Sequence, residues 1–147
     1  KVIVASEKLK NYYDKLTGNV VKITNGYERI NIKYDLDKNF TITHVGSLYP
    51  DRNPEILWEV LENMCVNIKG FEGHFKLQLI GSVGKKIEKR LNISKFAKCV
   101  SYRGYISEKD THSYIFSSQL LLLVESNENV MSYVIPGKFF NYLWKWK

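Results

Sequence analysis

The sequence predicts an α/β protein in which a parallel β-sheet carries helices on both faces, in a doubly wound arrangement. Two observations carry this prediction. Apolar runs at residues 40–45, 75–80, 97–102 and 120–124 have the length of buried strands, and the last is nearly all leucine, as expected of a strand covered on both faces. The connections between the runs can each hold a helix, as parallel strands require.

The composition is that of one globular protein. The 147 residues are 44% apolar and 25% charged, and the longest apolar run is far shorter than the roughly 20 residues of a membrane-spanning helix. The net charge of +7 suits phosphate, nucleic acid or an anionic membrane surface equally well. Cys65 and Cys99 lack metal-ligand spacing, as do the three histidines, so we expect reduced thiols, no metal site and a cytoplasmic location.

The first residues predict a separate strand and helix. Residues 2–5 form an apolar run, and Ser6 can cap a helix in which Leu9, Tyr12, Tyr13 and Leu16 share one face. Residues 20–23 predict a second short strand, after which the chain is polar. We place a linker or domain boundary at residues 25–39.

The later helices are located by their first residues: Asn53 before Pro54, Ser107 with Asp110 in a capping box, and Pro136. In the helix that follows Pro54, one apolar stripe is expected to face the core. It comprises Ile56, Leu57, Val60, Leu61, Met64 and Ile68.

Ligands of open α/β sheets bind beyond the carboxyl ends of the strands. After the first strand, Gly46 permits close backbone approach, Ser47 offers a hydroxyl and Arg52 can bind phosphate. A tight turn with a surface arginine explains this loop equally well. Residues 80–86 lack a complete phosphate-loop spacing and predict a glycine-bearing turn. Tyr105, just before a helix, could contact a nucleobase, or the loop could serve for ordinary capping.

The segment around Pro136 is the most specific. Pro136 and Gly137 are expected to open a helix, and Lys138 stands in its first turn. Cations are disfavoured at a helix N-terminus, so Lys138 suggests that an anion shares the site; a lysine that simply points into solvent is the alternative.

These motifs resemble the retaining GT-B glycosyltransferases of the group 1, or family 4, type, especially bacterial cell-surface polysaccharide enzymes. The resemblance covers nearly the whole chain and rests on residues 45–54, 104–107 and 135–140, together with an Asn25-Gly26 exit loop. It implies that residues 1–39 end an N-terminal acceptor domain with its linker. Residues 40–147 would be a Rossmann-like donor-binding domain, incomplete at its C-terminus.

The resemblance also implies site residues. The donor diphosphate would be bound by Gly46, Ser47, Arg52, Gly137 and Lys138. The base and ribose would be bound by Tyr105, Ile106 and Asn141, and the sugar would contact Pro136. Two departures from the family concern Ser47, where a basic residue is common, and Asn141, where the family has a glutamate for the ribose. Tyr133 stands at the position of a further acid.

The predicted function is therefore transfer of a sugar from a nucleotide-diphosphate donor to an acceptor hydroxyl, without a metal cofactor. The catalytic residues and the site for an acceptor sugar or lipid-linked glycan are expected largely in the missing part of the N-terminal domain, so this chain alone should be inactive. The intact enzyme could contact the inner face of the membrane. A non-catalytic nucleotide-binding or regulatory domain is the alternative, and a nucleic-acid-binding domain, for which no motif is present, a third.

Overall fold

The structure is a computed structural model that describes residues 1–26, 34–126 and 135–143. The chain divides into two compact units. The first consists of Lys1–Asn31 with Glu125–Lys147, and the second is Ile32–Val124. The assignment of 1–39 to an acceptor domain and of 40–147 to a donor domain remains a prediction, since these units are defined by contacts and not by function.

In its described part, the first unit contains two parallel strands and two helices. Strand β1 (Val2–Val4) pairs with β2 (Val20–Lys22), and helix α1 (Glu7–Thr17) connects them. The Ser6 side chain accepts a hydrogen bond from the amide of Leu9, which confirms the predicted cap. Helix α6 (Gly137–Leu143) follows later in the chain.

The second unit is an α/β structure with a four-stranded parallel sheet, as the sequence predicts. Its strands are β3 (Phe40–Val45), β4 (Phe75–Ile80), β5 (Val100–Gly104) and β6 (Leu120–Leu121), in the order β5-β4-β3-β6. The helices between them are α2 (Glu55–Asn67), α3 (Phe71–His74), α4 (Lys85–Asn92) and α5 (Glu108–Ser117). No described helix is both long and apolar enough to cross a membrane.

The two faces of this sheet differ in chemistry. One face packs against α2 and α4 in an apolar core, whose fully buried members include Trp58, Leu77, Leu79, Ile87 and Leu91. The other face presents the buried threonines Thr41 and Thr43, and Thr43 Oγ1 lies 2.6 Å from Ser118 Oγ at the end of α5. From Phe40 to Thr43, strand β3 therefore alternates between apolar and polar residues.

The predicted core stripe of α2 is wrong in part. Trp58 and Leu61 are buried, whereas Ile56 is 78% exposed and Val60 and Ile68 are also exposed. The large indole of Trp58 reaches the sheet, and this turns Ile56 and Val60 toward solvent. The apolar residues of α2 form two overlapping stripes, one with Ile56 and Val60 and the other with Trp58 and Leu61. The stripe that contains Trp58, the largest side chain, is the one that is buried.

Two strands differ from their predicted bounds, since β5 ends at Gly104, two residues beyond its predicted end, and β6 is shorter than predicted. Residues 97–99 form a 3-10 turn, so β5 begins at Val100 and not at residue 97. Strand β6 is limited to Leu120–Leu121, and Leu120 is 51% exposed and not covered on both faces. In the described chain β6 pairs only with β3, so it forms the edge of the sheet.

The thiols of Cys65 and Cys99 are both free, as predicted, and Cys99 is buried. Burial raises the pKa of Cys65 to about 11, with the neighbouring Cys99 as a second cause, and also raises the pKa of Cys99. These thiols therefore belong to the packed interior near α2 and β5.

Candidate functional site

Three loops meet at the carboxyl edge of the sheet, one after each of β3, β4 and β5. The β3 loop and the β4 loop run side by side, because the Gly46 amide donates to the Ile80 carbonyl at 2.8 Å and the Leu48 amide donates to the Ser82 carbonyl at 2.9 Å. Gly84 in turn donates its amide to the Leu48 carbonyl at 2.9 Å. The two loops thus continue the parallel pairing of their strands.

Gly81 allows this close approach. Its φ of +113° lies in the region that side chains disfavour, and a Cβ at this position would lie 2.6 Å from the Gly46 carbonyl oxygen. Such a distance is far inside van der Waals contact. The sequence indicated a glycine-bearing turn here, but not that the turn supports the Gly46 loop.

The β5 loop joins the same cluster through Gly81, whose amide donates to the Gly104 carbonyl at 2.7 Å. Beyond Gly104, the ring of Tyr105 is 84% exposed and Ile106 is half-buried. Ser107 caps α5 by accepting from the amide of Asp110 at 3.1 Å, which confirms the predicted cap. Gly46 and Tyr105 therefore lie on two loops that are both hydrogen-bonded to the β4 loop between them.

Ser47 lies between two anchored residues. The amides of Gly46 and Leu48 are both bonded to the β4 loop, and Leu48 is fully buried. Ser47 itself is half-buried and forms no hydrogen bond with any described residue. Its backbone is thus held in place while its N–H and hydroxyl groups are left available to a ligand.

Arg52 ends a short 3-10 turn, Pro50–Arg52, on the β3 loop. Its amide donates to the Tyr49 carbonyl at 2.8 Å, and its side-chain Nε lies 3.5 Å from Asp51 Oδ2. Both side chains of this pair are partly exposed. Exposed pairs of this kind are weak, so the guanidinium can exchange Asp51 for a more highly charged anion.

A hydrogen-bonded network holds the residues that follow Arg52. Asn53 Oδ1 accepts from the indole N–H of Trp58 at 2.7 Å, and Asn53 Nδ2 donates to Glu55 Oε2 at 2.9 Å. Arg90 on α4 donates to Glu55 Oε1 at 2.6 Å and lowers the pKa of this carboxyl. The network fixes the start of α2 to α4. The sequence did not predict this network. Its one signal was Trp58, an aromatic residue whose indole N–H needs a hydrogen-bond acceptor when it is buried.

Helix α4 lies in one of the connections that are long enough for a helix, but its position was not predicted. Of its eight residues only Ile87 and Leu91 are buried, and most of the others are charged. Two apolar residues four positions apart are too weak a pattern to predict a helix alone. Residues 85 and 86, expected to continue a turn, form its first positions.

The residues predicted around α6 lie in the first unit. The Phe139 amide donates to the Pro136 carbonyl at 3.0 Å, so Pro136 precedes the helix, and Gly137 and Lys138 open it. Lys138 and Asn141 are half-buried. That they share a site with Gly46, Arg52 and Tyr105 remains a prediction, and Tyr133 lies outside the described residues.

The histidines do not form a catalytic or metal-binding group in the described part of the chain. His44 is buried, with Nδ1 2.9 Å from the Leu122 carbonyl, whereas His74 is exposed. Among residues 1–26, 34–126 and 135–143, no group of three or more metal-binding side chains comes together. A cleft of about 390 Å³ is lined in part by Lys76, Gln78 and Arg103. Lys76 and Gln78 lie on the face of the sheet that carries Thr41 and Thr43, their partners in strand β3.

Comparison with family models finds no match, and comparison with curated proteins finds no relative. Solved structures do match. They include a mutant of TarM from S. aureus in complex with Fondaparinux, alpha-GlcNAc-glycerol and UDP, with 19% identity and a TM-score of 0.62. A second TarM structure has 20% identity and a TM-score of 0.61. The pneumococcal O-GlcNAc transferase GtfA, in complex with UDP and GlcNAc, has 15% identity and a TM-score of 0.55.

The match covers 82% of this chain and 24% of each TarM chain, and 84% of this chain and 25% of GtfA. The chain thus spans about a quarter of the length of these structures. At such identities the likeness concerns the fold. The chain has the Rossmann-like α/β fold of GT-B glycosyltransferase structures, as the sequence predicts.

Proposed function

We propose that this chain is the donor-binding part of a retaining glycosyltransferase that uses a nucleotide-diphosphate sugar. The cluster of three loops joined through Gly81 at the carboxyl edge of the sheet carries the proposal, because ligands of this sheet type bind at that edge. Both TarM and GtfA have been solved with UDP, which supports a uridine nucleotide as the first donor to test.

The diphosphate would lie against the β3 loop. Ser47 offers an N–H and a hydroxyl group between two anchored amides, and Arg52 offers a guanidinium whose present partner is a partly exposed aspartate. Gly137 and Lys138, at the start of α6, would complete the anion site. Fixed positive groups of this kind stabilise the leaving diphosphate, so the reaction as proposed needs no metal ion.

The nucleoside would lie against the β5 loop. The exposed ring of Tyr105 can stack on a base, and Ile106 adds apolar contact area. We assign the ribose to Asn141 and the sugar to Pro136. A neutral Asn141 forms weaker hydrogen bonds to ribose hydroxyls than a carboxylate does, so donor binding should be modest.

The acceptor-binding pocket and the catalytic groups would be supplied largely by an N-terminal domain. Acceptors would be a sugar or a lipid-linked glycan of cell-surface polysaccharide or glycoconjugate synthesis. A cytoplasmic enzyme with peripheral access to the inner face of the membrane would meet both a nucleotide-sugar donor and such an acceptor.

Calorimetric titration with UDP, ADP, GDP and their sugar conjugates tests donor binding. A charge-assisted hydrogen bond contributes about 1.5–3 kcal/mol, so Lys138→Ala and Arg52→Gln should each weaken the best ligand about tenfold or more. Lys69→Gln, an exposed lysine on the segment after α2, is the matched control and should leave the affinity unchanged. If all variants bind the ligand with equal affinity, Lys138 and Arg52 do not contact the donor.

A non-catalytic nucleotide-binding domain is the second candidate, and Asn141 in place of an acid is the observation that favours it. The two functions differ in the intact protein. Incubation with nucleotide sugar and candidate acceptors should release free nucleotide if the protein is a transferase. Nucleotide binding without any release would favour the regulatory function.

A further inference from the structure

Basic residues are concentrated in one segment of the second unit. Residues 85–103 contain seven lysines and arginines and a single acid, Glu88, whereas the rest of Ile32–Val124 contains six basic and nine acidic residues. The segment therefore carries a net charge of +6 (seven basic residues less one acid), whereas the rest of the unit carries −3 (six less nine). Helix α4 opens this segment and carries four of the seven.

The lysines of α4 face solvent. Its apolar side, Ile87 and Leu91, is buried in the core, and this leaves Lys85, Lys86 and Lys89 exposed. None of the three forms an ion pair with a described residue. The arginine of the same helix, Arg90, is instead bound to Glu55 and Glu62.

An exposed apolar side chain extends this surface. Ile93 follows the last turn of α4 with helical backbone angles and is 82% exposed. Positions 86, 89 and 93 are three and four residues apart, so their side chains share one face of the helix. We call Lys85, Lys86, Lys89 and Ile93 the α4 surface.

We propose that the α4 surface docks this protein on an anionic lipid surface. Lysine ammonium groups attract a diffuse layer of anionic headgroups, and Ile93 can enter the boundary between headgroups and acyl chains. Arginine is the residue that most often binds nucleic-acid phosphates, because its guanidinium group can donate two parallel hydrogen bonds. The arginine of α4, Arg90, is instead bound to Glu55 and Glu62, and this favours a lipid surface over a nucleic acid. The contact is superficial, because the apolar side of α4 is already buried.

Sedimentation with phosphatidylcholine vesicles, with and without phosphatidylglycerol, tests this proposal. We expect binding only to the vesicles that contain phosphatidylglycerol, with a loss of binding as salt is added. A lysine near an anionic surface strengthens binding about fivefold, so Lys86→Gln/Lys89→Gln should weaken it about 25-fold. Lys69→Gln/Lys109→Gln removes the same charge from exposed positions elsewhere and is the control.

Ile93 has its own matched pair. Ile93→Ser should weaken vesicle binding several-fold, whereas Ile56→Ser, which changes a similarly exposed isoleucine on α2, should not. Equal losses in the two lysine variants, or in the two isoleucine variants, would overturn the proposal. So would binding to a DNA duplex that depends on Lys86 and Lys89 without binding to vesicles. The same variants should bind nucleotides with unchanged affinity, because none of these residues belongs to the proposed donor site. Nucleotide titration therefore tests the donor site separately from vesicle binding.

Discussion

Substitution of Gly81 by alanine tests whether the three loops depend on one another. The new Cβ would lie 2.6 Å from the Gly46 carbonyl oxygen and 2.9 Å from its carbonyl carbon, both backbone atoms that cannot rotate away. The residue would also keep a φ of +113°. Backbone strain of this kind costs about 1–3 kcal/mol, and overpacking costs a further ~1–3 kcal/mol. We expect Gly81→Ala to lose about 2–6 kcal/mol of unfolding free energy.

Gly104→Ala separates the two causes. Gly104 also has a positive φ, of +61°, and lies in the same loop cluster, but a Cβ there meets nothing within 4 Å. It should lose only the backbone part, about 1 kcal/mol. Urea unfolding followed by circular dichroism measures both variants, and hydrogen exchange of the Gly46 and Leu48 amides reports on loop separation. If Gly81→Ala is as stable as Gly104→Ala, the proposed steric coupling between the loops is wrong.

Three further predictions concern the second unit. Asn53→Ala removes the acceptor of the buried Trp58 indole N–H and should lower the unfolding free energy by about 1–3 kcal/mol, measured by urea unfolding. The hydrogen bond from Arg90 lowers the pKa of Glu55, so its stabilisation is present above the ordinary pKa of 4.5 and is lost on acidification through the lowered value. Unfolding midpoints at about pH 7 and about pH 3 should therefore differ less in Arg90→Met than in the unsubstituted protein. Finally, partial burial raises the pKa of the Cys65 thiol to about 11, so Cys65 should react with iodoacetamide at neutral pH more slowly in the folded protein than after unfolding; equal rates in the two states would contradict this prediction.

The sequence by itself determined the features that depend on neighbouring residues. The bounds of β3 and β4 follow from short apolar runs between turns, and Ser6 and Ser107 cap helices through bonds to amides three residues later. The parallel arrangement followed from the length of the connections. Each of these signals lies within a short stretch of chain, where pattern and chemistry can be compared directly.

Tertiary structure decided what depends on residues far apart in the sequence. Trp58 belongs to the same buried core cluster as Leu77 and Leu79, whereas Ile56 is exposed, and this choice between two apolar stripes of α2 depends on packing. The short helix α4 is stabilised by packing and by Arg90, whose partners are 35 and 28 residues away. Likewise, Gly81 lies against Gly46 because their strands pair in register, and no local pattern records that contact. Sequence periodicity shows which side chains share a face, but only packing decides which face is buried.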